Sequence, residues 1–236
     1  MIKEAVMLFA LTTNLPAAGS ARGQEAKQGE TMSSTVSTKL STTQTYKAAE
    51  FPRLSQTPGL SAQLIASHLK LYQGYVSNTN ALSEKLAAML AEGKEKTAEY
   101  SELKRRFGWE FNGMRLHELY FGNLDSDGGP RQTDRVYQKI QEDFGCFEAW
   151  QKDFTATGLM RGIGWAVLYQ DSVSGRLFNA WITEHDGGHL AGGTPLLVMD
   201  VFEHAYIADF GLERAKYIEV FFKAIDWEEV DKRCLK

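Results

Sequence analysis

The hydrophobic period changes once along this chain, and that change limits the folds it can adopt. Residues 60–92 carry apolar side chains three and four positions apart, as one face of an α-helix requires, and Ser61 is placed to cap the start. A second helical pattern runs from Thr97 to Leu119 and ends before the turn-rich stretch FGNLDSDGGP. Two consecutive long helices predict a helical hairpin.

Beyond Pro130 the pattern becomes mixed. Helical patterns in QTDRVYQKIQEDFG and CFEAWQKDFTATGLM precede two strand-like runs, GWAVLYQ and RLFNAWITE, which the turn sequence DSVSG separates. A third strand-like run, TPLLVMDV, follows, and AKYIEVFFKAIDWEEVDKR is predicted to be one amphipathic helix. We therefore predict an α+β fold, with a helical hairpin domain over residues 51–127 and an α+β domain over residues 128–236.

The first 50 residues are predicted to be a leader. Residues 1–23 combine Lys3, a short apolar stretch and small residues ending at Ala21, in the outline of a secretory signal, although Glu4 interrupts its basic part. Residues 24–46 are polar and rich in Ser, Thr and Gln, which is typical of a flexible segment. The sequence leaves localisation open between the cytoplasm and export.

Composition excludes several classes of protein. A chain of 236 residues that is 43% hydrophobic can bury a substantial core. Its net charge of -4 argues against nucleic acid as a partner, because binding phosphates needs a dense basic surface. No run approaches the roughly 18 apolar residues of a membrane span. Cys146 and Cys234 lack the spacing of a zinc site or a disulfide framework, so we interpret them as structural thiols.

Histidine is scarce and its placement is informative. The five histidines are His68, His117, His185, His189 and His204. His68 lies in the first predicted helix, His117 near the end of the second, and His204 four residues after Asp200 beyond the third strand. Three imidazoles and one carboxylate suit a redox-active first-row metal. Taken singly, however, each histidine is more often an ordinary core or surface residue.

Aromatic residues flank these histidines. Tyr75 follows His68 by seven residues, which is two helical turns, so both belong to one helix face. The stretches LKLYQGYVSNTNAL and FNGMRLHELYF are also aromatic. A buried pocket with phenol groups near its mouth is predicted.

These motifs together resemble the iron/manganese superoxide dismutase family. DVFEHAY is similar to the family's D-V-W-E-H-A-Y signature, GIGWAVL to its G-S-G-W-A-W-L strand, and AIDWEEVDKR to its closing N-W-x-x-V-x-x-R helix. HLKLYQGYVSNTNAL and HELYF are similar to the segments that carry the first two metal ligands. The matches run in order from about residue 60 to 233, which makes the set specific.

The resemblance implies one iron or manganese ion per subunit, with a bound water or hydroxide as a further ligand. The implied protein ligands are His68, His117, Asp200 and His204. It also implies a helical hairpin packed on a three-stranded antiparallel sheet. The implied reaction converts superoxide to oxygen and hydrogen peroxide by alternating M(III) and M(II), in a homodimer or a dimer-based oligomer.

The resemblance also implies an outer layer of residues. The family usually places a glutamine beside the bound solvent, either from the second helix or from the loop after the second strand. Here those positions are Gly113, which leaves room, and His185. We therefore expect His185 to be the hydrogen-bond donor to the bound solvent, with Tyr75 linking it to the substrate channel and relaying protons.

Three further residues follow from the same signature. Trp165 is expected to line the pocket, and Phe202 stands where the family has tryptophan, which keeps the wall aromatic but removes an N–H donor. Glu203 is expected to cross a dimer interface to His204 of the partner subunit and to fix that imidazole.

The chain departs from the family near the first ligand. The segment between His68 and Tyr75 is one residue shorter, so we expect the helix to wind differently there, with a wide turn lost. The family's histidine near Leu71 or Tyr72 is missing, and Ile207 replaces an expected tyrosine. Losing both suggests an apolar substitute for a polar bridge across the dimer.

Two basic residues are candidates for substrate steering. Lys70 and Arg214 fall where the family has positive charge near the channel mouth, although either could be an ordinary solvated charge. No role follows for His189. Two alternatives stay open at this point: a non-catalytic structural or interaction protein with the same fold, and a metal-dependent enzyme with another oxygen substrate.

Overall fold

The computed structural model describes residues 45–125 and 129–235. The signal-like start of the predicted leader and most of its polar part lie outside these residues. The described chain contains helices α1 (Ala62–Ala91), α2 (Ala98–Gly122), α3 (Arg135–Phe144), α4 (Phe147–Gly158), α5 (Ile207–Phe210), α6 (Arg214–Ala224) and α7 (Trp227–Arg233), strands β1 (Gly164–Asp171), β2 (Leu177–Thr183) and β3 (Gly193–Asp200), and 3-10 turns at Leu54–Gln56 and Glu203–Ala205.

Helices α1 and α2 form the predicted hairpin. Ser61 caps α1 by accepting the backbone N–H of Leu64 at 3.1 Å, and Thr97 caps α2 by accepting that of Tyr100 at 3.2 Å. Helix α1 is α-helical throughout its 30 residues, as expected if a wide turn has been lost. The regular winding keeps the first predicted ligand and Tyr75 on one face.

The three strands form an antiparallel sheet in the order β2-β1-β3, so the fold is α+β as predicted. The central strand β1 is buried along nearly its whole length. Its register places Trp165 opposite Ile182 on β2 and opposite Asp200 on β3. One strand therefore brings an indole beside the carboxylate that ends β3.

The prediction of a single C-terminal helix is wrong. The backbone is extended at Ile225 and Asp226, which separates α6 from α7. Asp226 donates its backbone N–H to the carbonyl of Asn123 at 3.0 Å, and its carboxylate accepts the N–H of Glu229 at 3.0 Å as an N-cap. The apolar period continues through this break, so only the tertiary contact reveals it.

The end of α2 is tied to β3 by side chains. The carboxamide of Asn123 accepts the backbone N–H of Val198 at 3.1 Å and donates to its carbonyl at 3.3 Å. The guanidinium of Arg233 donates to the carbonyl of Leu196 at 3.1 Å and to that of Leu119 at 3.3 Å. These contacts fix the strand that ends at Asp200 against the helix that carries His117. The division into two domains stays a prediction.

Among the helices in the described ranges, none has the length and apolar character needed to cross a bilayer. Cys146 is exposed and Cys234 is buried, and both are free thiols.

Candidate metal centre

Four side chains from four elements meet between the hairpin and the sheet. They are His68 of α1, His117 of α2, Asp200 at the end of β3 and His204 in the 3-10 turn that follows. One donor atom from each lies within 4.8 Å of all the others. The structure therefore brings together the four residues that the resemblance implied as ligands.

The carboxylate of Asp200 is the common point of this cluster. Its Oδ2 atom lies 3.1 Å from Nε2 of His68, 3.7 Å from Nε2 of His117 and 3.2 Å from Nε2 of His204. Its Oδ1 atom accepts the backbone N–H of Phe202 at 2.8 Å. One oxygen is thus held by the backbone, which leaves the other facing the three imidazoles.

The imidazole of His117 shows that this cluster is suited to a cation. Its Nδ1 lies 2.6 Å from the carbonyl of Gly113, and a carbonyl only accepts, so Nδ1 carries the proton. The Nε2 atom is then a bare lone pair, and it is buried without a hydrogen-bond partner. An orphaned buried acceptor is costly unless something positive satisfies it. Three imidazoles and a carboxylate are a donor set that suits iron or manganese.

The surroundings lower the pKa values of three of the four donors, His68, His117 and Asp200. Burial lowers the pKa of His68 despite its contact with Asp200, and burial with the neighbouring His68 holds the pKa of His117 well below its usual value. Burial alone would raise the pKa of Asp200, but its contacts with His204 and His68 outweigh burial and hold that pKa below its usual range. At neutral pH the buried donors are therefore in the forms that bind a metal.

Beside the cluster, His185 is held at both ring nitrogens. The indole N–H of Trp165 donates to Nδ1 of His185 at 3.1 Å, so the ring proton is on Nε2, which lies 2.8 Å from the hydroxyl of Tyr75. Burial lowers the pKa of His185 to about 4, so the ring is neutral at pH 7. Tyr75, His185 and Trp165 form one chain of hydrogen bonds beside the donors.

The Tyr75 ring occupies the space next to Gly113. A Cβ atom at that glycine would lie 2.6 Å from Cδ1 of Tyr75, so a larger residue would displace the ring. The ring also stacks on His117, with centroids 5.1 Å apart. The room that the glycine leaves is therefore filled by the phenol that reaches His185.

Comparison with known proteins decides the family. Residues 132–233 match the C-terminal domain of iron/manganese superoxide dismutases. The iron superoxide dismutase of Aquifex pyrophilus is 38% identical over 183 residues, which cover 75% of this chain and 85% of that protein. The chain belongs to the iron/manganese superoxide dismutase family. The resemblance seen in the motifs is confirmed.

Relatives of both metal types are similar to this family member. The iron superoxide dismutase of Cupriavidus metallidurans is 40% identical over 181 residues, covering 74% of this chain and 88% of the relative. Manganese superoxide dismutase 2 of Haloferax volcanii is 36% identical over 173 residues, covering 73% and 85%.

Phe202 separates two imidazoles of this iron/manganese superoxide dismutase family member. Its ring stacks on His185 with centroids 4.8 Å apart and on His204 with centroids 5.1 Å apart. Trp109 of α2 meets His185 edge-on at 5.0 Å. The side chains around His185 are aromatic, and Phe202 contacts both imidazoles by stacking rather than by donating a hydrogen bond.

The outer side of the cluster reaches the surface. The side chain of His204 is 25% exposed, whereas that of His117 is fully buried. Glu203 is exposed on the same turn, and so is Ile207, which replaces the expected tyrosine. Of the two positions near which the family's histidine was expected, Leu71 is exposed and Tyr72 is buried. On this side of the cluster the donor is therefore an imidazole that borders solvent.

The two proposed steering residues are placed differently. Lys70 lines an open pocket of about 570 Å³ over Tyr75. Arg214 instead donates to the carbonyls of Met160 at 2.8 Å and Gly162 at 2.9 Å, so its guanidinium clamps the chain between α4 and β1. Its steering role stays a prediction.

Sequence reasoning missed several residues of the site. The hydroxyl of Tyr217 donates to the carbonyl of Asp200 at 2.8 Å and lies 3.1 Å from that of Tyr120. Arg106 lines the pocket that Lys70 lines, and its guanidinium donates to Glu110 at 2.7 Å. Tyr120 follows His117 by three residues, a helical neighbour spacing that was a usable signal. No local sequence signal exists for Tyr217, Arg106 or Glu110.

Proposed function

We propose that this chain is a superoxide dismutase that converts two superoxide anions and two protons into O₂ and H₂O₂ at one iron or manganese ion per subunit. His68, His117, Asp200 and His204 hold the ion. The convergence of these four donors, with a buried bare nitrogen on His117, carries the proposal. Homology to iron and manganese superoxide dismutases supports it.

When bound, the ion supplies a one-electron couple that takes an electron from one superoxide and returns it to the next. The chain must hold a cation whose charge alternates, and the anionic carboxylate of Asp200 compensates part of that charge. Its Oδ1 contact with the N–H of Phe202 fixes the carboxylate plane during the cycle. The hydrogen bond from His117 Nδ1 to Gly113 fixes the ring whose other nitrogen faces the ion.

Protons reach the site through Tyr75 and His185. Because Nε2–H of His185 donates to the Tyr75 hydroxyl oxygen, the hydroxyl proton of Tyr75 points away from His185 and is free to be donated. Burial, with the charge of Asp200, raises the pKa of Tyr75 to about 12, so the hydroxyl keeps its proton at neutral pH. His185 and Trp165 orient the phenol, and the Tyr75 hydroxyl regains its proton from solvent in the open pocket that it lines.

Superoxide enters through the pocket over Tyr75. Lys70 and Arg106 both line this pocket, and their positive charges attract an anion towards a protein whose net charge is negative. Glu110 is almost fully buried but lines the same pocket, and its ion pair with Arg106 orients the guanidinium and offsets part of its charge.

The assembly is proposed to be a homodimer or a dimer-based oligomer. Glu203 reaches across the interface to His204 of the partner subunit, which fixes an imidazole that borders solvent in the single chain. The exposed side chains of Leu71 and Ile207 supply apolar area to the same face.

The experiment is metal analysis paired with a dismutation assay on the purified protein. We expect about one iron or manganese per chain and activity that follows metal content, with His117→Ala losing both. Lys152→Ala, an exposed substitution on α4, is the matched control and keeps both. A loaded wild-type protein that leaves superoxide untouched would refute the proposal, whereas a protein that never binds either metal would refute the ligand assignment.

A further inference from the structure

His189 contacts the loop that presents His185. Its Nε2 lies 2.8 Å from the backbone carbonyl of His185, and its Nδ1 lies 2.9 Å from the hydroxyl of Tyr169 on β1. The carbonyl only accepts, so Nε2 carries the proton that it receives, and in this tautomer Nδ1 accepts the Tyr169 hydroxyl. A histidine for which the sequence indicated no role therefore bridges β1 to the backbone of His185.

The loop is a tight turn built beyond the end of β2. Thr183 and Gly187 exchange backbone hydrogen bonds at 2.8 and 3.2 Å, leaving three residues to form the tip. Glu184 has a φ of 53°, which is uncommon for a residue with a side chain. Gly188 has a φ of 95°, and a Cβ there would lie 2.6 Å from the carbonyl of Trp181. A backbone of this kind needs contacts that hold it in place.

Strand β1 holds this loop at two points. Trp165 donates to the ring of His185, and Tyr169, four residues further along the same strand, donates to the ring of His189. Residues four apart on a strand project from the same face. The two aromatic donors on β1 thus match the two histidines, which are also four residues apart.

We propose that His189 is a positioning residue that holds the His185 backbone so that Nε2–H of His185 meets Tyr75. The inference rests on the proposed function, since it deepens the account of the Tyr75–His185 pair. His189 touches neither the four donors nor Tyr75 in the contacts of the described residues, so its effect passes through the His185 carbonyl.

The hydrogen bond at the His185 carbonyl is the critical one. Trp165 and Tyr75 contact the two ring nitrogens of His185 and Phe202 stacks on its ring, but these three contacts act on the side chain only. The donor from His189 restrains the backbone carbonyl of the same residue, and Tyr169 fixes that donor in turn. The orientation of His185 depends on a chain that starts at β1, outside the donor cluster.

Three variants separate this role from a general structural one. His189→Ala removes the donor, His189→Gln keeps an amide N–H near the position of Nε2, and Tyr169→Phe keeps the buried ring but removes the hydroxyl. His189 is exposed, so truncation leaves no cavity in the core. Tyr169→Phe preserves the shape of a side chain that is 3% exposed.

The first readout uses the metal-free protein with ¹⁵N-labelled histidine, where the Nε2–H signal of His185 and its exchange with water are followed by NMR. We expect exchange about fivefold faster in His189→Ala, the factor for loss of one ordinary hydrogen bond, with a smaller increase in Tyr169→Phe and the wild-type rate in His189→Gln. Unchanged exchange in His189→Ala would overturn the inference, as would equal acceleration in His189→Gln.

The second readout is turnover of the loaded enzyme. We expect kcat to fall about fivefold in His189→Ala, with metal content unchanged and recovery in His189→Gln. A wild-type protein without dismutation activity would refute the proposed function, while the NMR result would still decide the role of His189. Loss of metal in His189→Ala would overturn the inference, because a positioning residue for His185 leaves the four donors intact.

Discussion

The imidazoles of His117 and His204 face the same carboxylate oxygen but are supported in opposite ways. His117 is fully buried, and a carbonyl of its own helix fixes its tautomer. His204 lies in a 3-10 turn with its side chain 25% exposed, and Phe202 stacks against it. The inner half of the candidate site is enclosed within one chain, whereas the outer half borders solvent.

Removing each imidazole is the strongest test of this difference. We expect His117→Ala to retain less than about 1% of wild-type metal, because it leaves Asp200 facing a dry space with one donor fewer. His204→Ala is expected to retain about tenfold more metal than His117→Ala, because water can enter from the exposed side and act as a substitute ligand. Calorimetric titration of both metal-free variants with Mn²⁺ measures the difference, and equal losses would contradict it.

The proposed support of His204 by a second copy of the chain is tested at Glu203. We expect Glu203→Ala to weaken dimerisation and to lower metal affinity by about 10-fold to 100-fold, as is typical when the hydrogen-bond partner of a metal ligand is lost. Sedimentation velocity and metal content after dialysis measure the two effects.

The control is Glu219→Ala, which removes an exposed carboxylate from α6. If both glutamate variants sediment alike and keep equal metal, the outer imidazole needs no partner.

Lowering the pH should change the contribution to folding stability of the inner histidines and of His204 in opposite directions in the metal-free protein. Burial lowers the pKa of His68, His117 and His185, so each favours folding above the unfolded pKa of about 6.5 and loses that contribution as pH falls. His204 has the opposite pH dependence. Burial opposes its protonation, but Asp200 raises its pKa, so its contribution to folding stability is present below about pH 6.5 and is lost as the pH rises. Three groups outweigh one, and we expect the Tm to be about 5 °C lower at pH 5.5 than at pH 7.5.

Glutamine substitutions then assign this pH dependence. His117→Gln should flatten the acid dependence of Tm, because a group that resists protonation in the fold is gone. His204→Gln should steepen it. Calorimetry at both pH values measures the change in Tm. An identical pH dependence of Tm in the two variants would contradict the predicted difference between His117 and His204.

The smallest effect is expected at the entrance. Lys70→Glu places a negative charge in the pocket over Tyr75 without touching any donor. We expect kcat/KM to fall about fivefold at low ionic strength, with the difference vanishing in about 0.5 M salt as charges are screened. Lys152→Glu on α4 changes net charge equally and is the control; an equal loss there would mean that total charge governs capture.

The sequence predicted more of the inner half of the site than of its support. The helical periods around His68 and His117, and the spacing of four between Asp200 and His204, placed these residues on their elements. The resemblance of the ordered motifs to the family then implied that the four are metal ligands. Helical and strand periods are local, so they survive in a single sequence. His189 was missed because its partners are a tyrosine twenty residues away and a backbone carbonyl, neither of which leaves a pattern.

The same limit explains the break between α6 and α7. The apolar period of AKYIEVFFKAIDWEEVDKR continues through it, but the backbone of Asp226 is held by Asn123, more than one hundred residues earlier. Arg214 is a comparable case, since its guanidinium is engaged by carbonyls that the sequence does not place near it.

The sequence by itself determined the α+β fold class, the hairpin and the three strands, because these depend on side-chain type and short-range period, and the resemblance of its ordered motifs to the family implied the four donors. Only the tertiary structure decided which nitrogen of His117 is bare, which atom His185 offers to Tyr75, and which histidine holds the loop. Those properties depend on hydrogen bonds between segments distant in the chain, and their directions are set when the segments pack.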